Sequence, residues 1–239
     1  MTGDDPLGLA VYDHHRGERD EPLVDRDGTA TREQPIQRFY FDARDPEREA
    51  AEWESSWLSG PALDIGAGAG RDTLHFQAEF ETVALEVSER LVGTMRERGV
   101  RDARLGDMFA LREAFERDRF RSAFAFGTQV CLAGSMQGLR RFLGDLAFVT
   151  TPDGTALLHS YDPDREATSE ILGYREDPTP GLAHRVYHTT YRDQHETLFF
   201  RLFSPDRLRE AAVGTGWRVA EVRRFSTDAN DYVAALEKR

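Results

Sequence analysis

Apolar and polar positions alternate in changing rhythms along the chain, and from Pro61 onward the changes are regular. Residues 63–66 form a short apolar run that predicts a strand, and 71–78 predict the helix after it. Residues 82–87 read as a second strand. Ser88 then caps a helix to about residue 98, which Gly99 ends. A short strand at 103–107 and a short helix at 108–116 follow. Residues 120–126 are a fourth strand, and 137–148 a helix with Leu139, Phe142, Leu143 and Leu146 on one face. Pro152-Asp153-Gly154 turns the chain into a fifth strand at 155–160. After Asp162 the rhythm breaks. Residues 171–181, with Pro178 and Pro180, read as loop. The alternating runs 185–191 and 196–203 flank Arg192-Asp193-Gln194-His195 and predict an antiparallel hairpin. Ser204-Pro205 opens a helix to about residue 213, and 217–225 and 232–236 are closing strands joined by 226–231.

The pattern before Pro61 is different. Leu7, Leu9, Val11 and Tyr12 predict a short helix within 6–16, and the polar stretch 18–33 reads as an exposed loop. Residues 35–42 hold a compact aromatic group that needs something to pack on. Pro46 then opens a helix over 47–58, with Ala50, Trp53 and Trp57 on one face, and Ser59-Gly60-Pro61 ends it. Repeated β–α units imply a parallel sheet with right-handed crossovers and helices on both faces, an α/β chain.

Charge changes the picture. The sequence has 43 acidic against 31 basic residues, a net charge of −12, and Lys238 is its one lysine. A dense acidic shell with almost no lysine resembles proteins of salt-loving archaea, where screening makes like-charge density tolerable. An ordinary acidic protein from a GC-rich genome is the alternative. The same charge argues against a phosphate backbone as partner, so nucleic acid is not expected. No apolar run reaches the roughly 20 residues that cross a membrane, and Met-Thr-Gly-Asp-Asp-Pro has neither region of a signal peptide. A cytoplasmic protein is expected. The single cysteine, Cys131, excludes an internal disulfide and a cysteine zinc cluster.

The candidate chemistry centres on residues 62–74, Ala-Leu-Asp-Ile-Gly-Ala-Gly-Ala-Gly-Arg-Asp-Thr-Leu. A strand, a turn with glycine at every second position and a helix start form a site for a nucleotide-like cofactor. The third glycine comes one residue early for the dinucleotide fingerprint, where Arg71 stands instead. No Gly-Lys-Ser/Thr follows, so a P-loop is excluded. Asp-x-Gly-x-Gly-x-Gly resembles the first motif of the class I S-adenosylmethionine-dependent methyltransferases, and the resemblance extends over residues 60–239. It implies a doubly wound, mostly parallel seven-stranded sheet with an antiparallel C-terminal strand pair. Residues 1–59 would be an N-terminal cap or extension, and the hairpin an addition to the methyltransferase domain at 60–239.

The resemblance also assigns residues. Asp64 would sit under the methionine amino group, and Gly66, Ala67, Gly68 and Gly70 along the methionine and ribose. Glu86, about 20 residues on, would accept from the ribose hydroxyls, with Val87 beside it. Asp107 would accept from the adenine amino group, Met108 would pack on the ring, and Gly127 would pass beside the methionine end. The exit of the fourth strand lacks the Asn/Asp-Pro-Pro-Tyr/Phe of DNA- and protein-amide-directed members, and basic insertions of RNA-directed members are absent. The expected activity is methyl transfer to a small molecule. The alternatives are an RNA or protein methyltransferase, and a non-catalytic protein that binds the cofactor or its product. Candidate bases are His14, His15, His159, Tyr161, His188 and His195, with His159 and Tyr161 best placed. Cys131 reads as a packed thiol, Tyr12, Phe39, Tyr40 and Phe41 as walls of an acceptor pocket, and no metal is expected. Oligomeric state is not fixed by the sequence.

Overall fold

In the computed structural model, which describes residues 4–45, 47–226 and 229–239, the apolar runs after Pro61 become one twisted sheet. Its strands are β3 (Ala62–Ile65), β4 (Thr82–Glu86), β5 (Ala103–Leu105), β6 (Phe120–Ala125), β7 (Thr150–Tyr161), β11 (Trp217–Arg223) and β12 (Asp231–Lys238). Their spatial order is β11-β12-β7-β6-β3-β4-β5. Neighbours from β5 to β7 pair parallel, whereas β12 runs antiparallel to both β7 and β11. This is the mostly parallel seven-stranded sheet expected from the sequence. The buried residues of β3 divide by parity. Leu63 and Ile65 face α5 (Leu111–Ala114), α6 (Met136–Val149) and α7 (Pro205–Ala212). Ala62 faces Trp53 of α2 (Ala51–Trp57) and Phe76 of α3 (Arg71–Phe76). The chain winds outward from β3 through β4 to β5, then crosses back to lay β6 on the other side of β3. The crevice of an open α/β sheet lies at that reversal, beyond the carboxyl ends of the strands.

A second sheet covers that end. It combines β1 (Val24–Asp27) and β2 (Ala30–Glu33) with β8 (Tyr174–Glu176), β9 (Leu182–Tyr191) and β10 (Gln194–Phe203). Two expectations are corrected by it. Residues 18–33 are not all loop, and 171–181 contain a strand. Both segments add antiparallel to β9, β1 from more than 150 positions away and β8 from the stretch just before it, and their polar residues give little local sign of a strand. Asp25 points inward and is fully buried, its carboxylate accepting from Thr189 Oγ1 at 2.7 Å and from Gln34 Nε2.

Helix α1 (Pro6–Arg16) packs through Ala10 and Val11 against Leu91 of α4 (Glu89–Glu97), and against Tyr191 and Ala69. The N-caps of α1 and α4 interlock. Asp5 accepts from Gly8 N at 2.8 Å and from Ser88 Oγ at 2.6 Å, and Ser88 Oγ accepts from Leu91 N at 3.2 Å.

The helix expected over 47–58 is shorter, and the Pro46 start assigned to it lies outside the described residues. Asp45 accepts from Glu47 N at 2.9 Å, which holds a turn in place of a helical start. Arg48 folds back onto Glu54. The helix expected at 108–116 is likewise a 3₁₀ turn at 108–110 followed by α5. Among the described residues no helix is long and apolar enough to cross a membrane.

Arg44 ties residues 42–57 to the sheet. Its guanidinium pairs with Glu54 and Asp72, and lies 4.9 Å from the Phe76 ring and 5.0 Å from that of Phe126. Replacing it by Met would leave two carboxylates short of a buried partner, with Arg48 and Arg71 as partial substitutes. Arg44→Met is expected to lower the urea-unfolding free energy by about 3 kcal/mol. A loss no larger than that of an exposed pair, about 0.5 kcal/mol, would show that the network is not structural.

Candidate functional site

The glycine turn leaves β3 with Gly66, Gly68 and Gly70 all at positive φ, 68°, 58° and 78°, a region L side chains rarely enter. Close approach adds a second reason at Gly68, where a Cβ would stand 3.2 Å from the Tyr40 ring. Glu86, at the end of β4, holds the turn. Its Oε2 accepts from Gly68 N at 3.0 Å, while Oε1 accepts from Val87 N at 2.8 Å and Ser88 N at 3.1 Å. Burial raises its pKa above the ordinary value against the opposing pull of these donors. A carboxylate offers about four lone-pair sites, so capacity is left for a further donor.

Asp64 at the end of β3 is more deeply enclosed. It is 3% exposed, and burial, with the Asp72 carboxylate second, pushes its pKa up to about 8. Thr73 Oγ1 donates to its Oδ2 at 2.5 Å. Its Oδ1 has no protein donor among the described residues. That oxygen is not sealed in by protein, and a ligand ammonium could donate to it.

The next strand ends complete the floor. Asp107 is exposed, with Oδ1 accepting from Phe109 N at 2.8 Å, and Met108 is buried behind it. Val87 is 72% exposed, an apolar side chain presented beside Glu86 as a flat ring would need. At the exit of β6, Gly127 and Thr128 both take left-handed backbone, φ 68° and 66°. The Gln129 side chain folds across Gly66. All ten residues singled out in the sequence therefore lie on the turns at the carboxyl ends of β3, β4, β5 and β6.

The histidines do not gather there as bases. His159 Nδ1 accepts from Thr128 N at 3.0 Å, which leaves Nε2–H to donate to Asp231 at 2.8 Å. Both nitrogens are engaged in holding the β6 exit, which makes His159 a positioning group rather than the expected base. His14 bonds Gln37, His15 meets Glu97, His188 bonds Thr197 and His195 meets Asp4, so none points at the glycine turn. Tyr161 is half-buried, and burial raises its pKa, keeping it protonated. Cys131 is a packed thiol 3.3 Å from Ser160 Oγ, its pKa pushed up to about 11 by burial. Of the expected wall residues, Tyr40 alone covers the glycine turn. Phe41 stacks under Arg98 at 4.7 Å, Tyr12 carries Arg16 at 5.5 Å, and Phe39 is exposed. Among the described residues no group of three or more His, Cys, Asp or Glu is placed to hold a metal.

Sequence reasoning missed Thr73, Arg98 and Arg185. Arg98 Nη1 donates to Tyr40 O at 2.8 Å and to Ala69 O at 2.5 Å, clamping the cap to the turn. Its only sequence signal is a position at the end of a capped helix. Arg185 falls on the inward stripe of β9, with Ala183, Tyr187, Thr189 and Tyr191, a pattern that looks in sequence like an ordinary alternating strand.

The chain matches no family model and no curated protein by sequence. Solved structures share its fold. A SAM-dependent methyltransferase from Bacteroides fragilis, in complex with S-adenosyl-L-homocysteine, is 24% identical, with a TM-score of 0.78 over 98% of this chain and 95% of that one. The CcbJ methyltransferase from Streptomyces caelestis is 18% identical, with a TM-score of 0.62 over 82% and 90%. CalS10, a SAM-bound amino pentose methyltransferase from Micromonospora echinaspora, is 18% identical, with a TM-score of 0.54 over 73% and 82%.

The elevated pKa of Asp64 makes stability depend on pH. Between the ordinary carboxylate value of about 4 and the folded value of about 8, the folded chain keeps a proton that the unfolded chain has released. The contribution is present below that window and lost as pH rises through it. Asp64→Asn, which preserves the acceptor for Thr73, is expected to be the more stable protein at pH 8.5, by on the order of 2 kcal/mol in urea unfolding. At pH 4, the lower edge of that window, the two should nearly coincide. A gap independent of pH would contradict the assignment.

Proposed function

We propose that this protein is a methyltransferase that uses S-adenosylmethionine to methylate a small molecule. The observation that carries the proposal is the enclosed Asp64 carboxylate, with one oxygen lacking a protein donor among the described residues, beside a glycine turn anchored by Glu86. The donor set suits this cofactor: Asp64 would take its ammonium group, Glu86 its ribose hydroxyls and Asp107 its adenine amino group. Val87 and Met108 would border the ring, and Gly66, Ala67, Gly68, Gly70 and Gly127 would let backbone lie alongside. Bound there, the cofactor supplies an electrophilic methyl group, whose transfer to an acceptor lone pair leaves the bonding electrons on sulfur as a thioether. The protein's part is to align the acceptor and exclude water. Tyr40 and the cap sheet cover the turn and serve the second task. The fold shared with the SAM-dependent methyltransferase from Bacteroides fragilis and the CcbJ methyltransferase from Streptomyces caelestis supports the same assignment.

A second reading, a cofactor-binding protein without transfer activity, is favoured by one observation: His14, His15, His159, His188 and His195 are all engaged elsewhere. Transfer to an already deprotonated or neutral nucleophile needs no base, which keeps the enzymatic reading ahead. The acidic, lysine-poor composition supports a salt-rich working environment inside the cell. Melting in multimolar KCl should then occur well above melting in dilute buffer, and equal melting temperatures would remove that part of the proposal.

Calorimetry with S-adenosylhomocysteine tests the cofactor directly, and binding is expected where NADH gives none. Glu86→Ala should weaken it by about 1–3 kcal/mol, the range for a hydrogen bond to a charged group. Gly68→Val should abolish it while circular dichroism shows a folded chain, because the added side chain enters the space against Tyr40. Unchanged affinity in both variants would dismiss the site.

A further inference from the structure

Arg185 is an arginine that the fold buries without an acid. It is 7% exposed, and among the described residues no carboxylate lies within ion-pair distance of it. Its Nε donates to Leu172 O at 2.8 Å, and its two terminal amino groups have no protein acceptor among the described residues. The guanidinium lies 4.2 Å from the Tyr187 ring centroid and 5.9 Å from that of Tyr161. Tyr187 is in turn fixed by stacking on Phe200 at 5.9 Å and 8°, and Phe200 is the cross-strand partner of Arg185 itself. A bound anion would supply the counter-charge and the acceptors that the described residues do not.

The surroundings are those of an anion receptor close to the glycine turn. The hydroxyls of Tyr187, Tyr161 and Tyr40 have no hydrogen-bond partner among the described residues. Tyr187 shares its electrostatic surroundings with Arg185, Asp25, Tyr40 and Tyr161. Tyr161 ends β7, and Tyr40 lies over Gly68. Asp25, the acid in that set, is occupied by Thr189 and Gln34, and burial raises its pKa. Arg32 adds positive potential from β2, acting on both Asp25 and Tyr161.

We infer that Arg185, with the hydroxyls of Tyr187 and Tyr161, forms the acceptor subsite and takes an anionic small molecule, one bearing a carboxylate or phosphate group. The two terminal amino groups of the guanidinium suit either group end-on, and the phenols supply further donors. The inference rests on the methyltransferase reading, and the test separates the two.

Transfer from methyl-labelled S-adenosylmethionine is measured with the full chain against a small-molecule cell extract, split on an anion-exchange resin into retained and unretained fractions. Wild type is expected to label the retained fraction, and Arg185→Gln to label it less by about tenfold or more, the scale of a lost charge-assisted hydrogen bond. Affinity for S-adenosylhomocysteine should stay within about twofold, as for a change at a separate subsite. The retained fraction should also raise the melting temperature of wild type and not of Arg185→Gln, a readout independent of transfer. Should Arg185→Gln not fold, Tyr187→Phe carries the test, with a loss of about fivefold for one hydroxyl. Phosphatase treatment of the retained fraction abolishes labelling for a phosphate monoester and spares it for a carboxylate, each supporting the inference. Label confined to the unretained fraction, or undiminished transfer by the folded variants, overturns it. S-adenosylhomocysteine binding with no label in either fraction overturns the acceptor assignment and leaves the cofactor reading standing. Failure of wild type to bind S-adenosylhomocysteine overturns both.

Discussion

The carboxylate of Glu86 is the junction on which the crevice is built. Three backbone N–H groups converge on it, one from the glycine turn after β3 and two from the turn after β4. Taking a carboxylate out of water costs several kcal/mol unless such donors replace the hydration, so the acid and the two turns determine one another. Gly68 can present its N–H because its φ is positive, and Ser88 can do so because it begins α4 with extended backbone. Through Ser88 the same junction reaches Asp5 and the start of α1. A single buried acid thus sets the spacing of two parallel strand ends and the docking of the first helix.

Charge in the crevice is arranged by position rather than by total. Beneath it stand Asp64 and Glu86, both with pKa values raised by burial, and above it the cap sheet contributes Arg185 with tyrosines on either side. The net charge of −12 is a sum over the whole chain and says nothing of this polarity. An acidic floor suits a cationic donor and a basic roof an anionic acceptor. In a space screened from water each attraction is stronger than at the surface, and two ligands of opposite sign would also attract each other across it.

The parallel sheet was legible because each of its strands is a local event. β3, β4, β6 and β7 are apolar runs that end at glycine, serine or acidic residues, and the helices between them show their buried faces in the spacing of apolar residues. Asp64, Glu86 and Asp107 could be placed at strand ends for the same reason. The cap sheet was not legible as a unit, because β1 is built from Val-Asp-Arg-Asp and gains its order from β9, more than 150 positions away in the register Asp25↔Thr189. The role of His159 was hidden for a different reason. Its place at the exit of β7 was correct, but only the fold brings Thr128 N–H and Asp231 to its two nitrogens, which turns an available base into a brace.

The cap joins what the sequence keeps apart. One of its parts comes from the first 42 residues and includes α1, β1, β2 and the π-helical turn that carries Tyr40; the other is the hairpin of β9 and β10. Asp25 fastens them through Thr189, and Asp13 does so again by accepting from Tyr191 Oη at 3.0 Å and pairing with Arg192 at 2.8 Å. Tyr40 then touches the glycine turn while sharing an electrostatic environment with Tyr187, and Arg98 clamps its backbone to Ala69. A shift of the turn would therefore press on Tyr40, which shares the surroundings of Tyr187, the neighbour of Arg185. If the proposed donor and acceptor subsites are filled as assigned, packing through Tyr40 is the route that would join them. In such an arrangement filling one side reduces the freedom of the other, and the second ligand binds to a site already ordered.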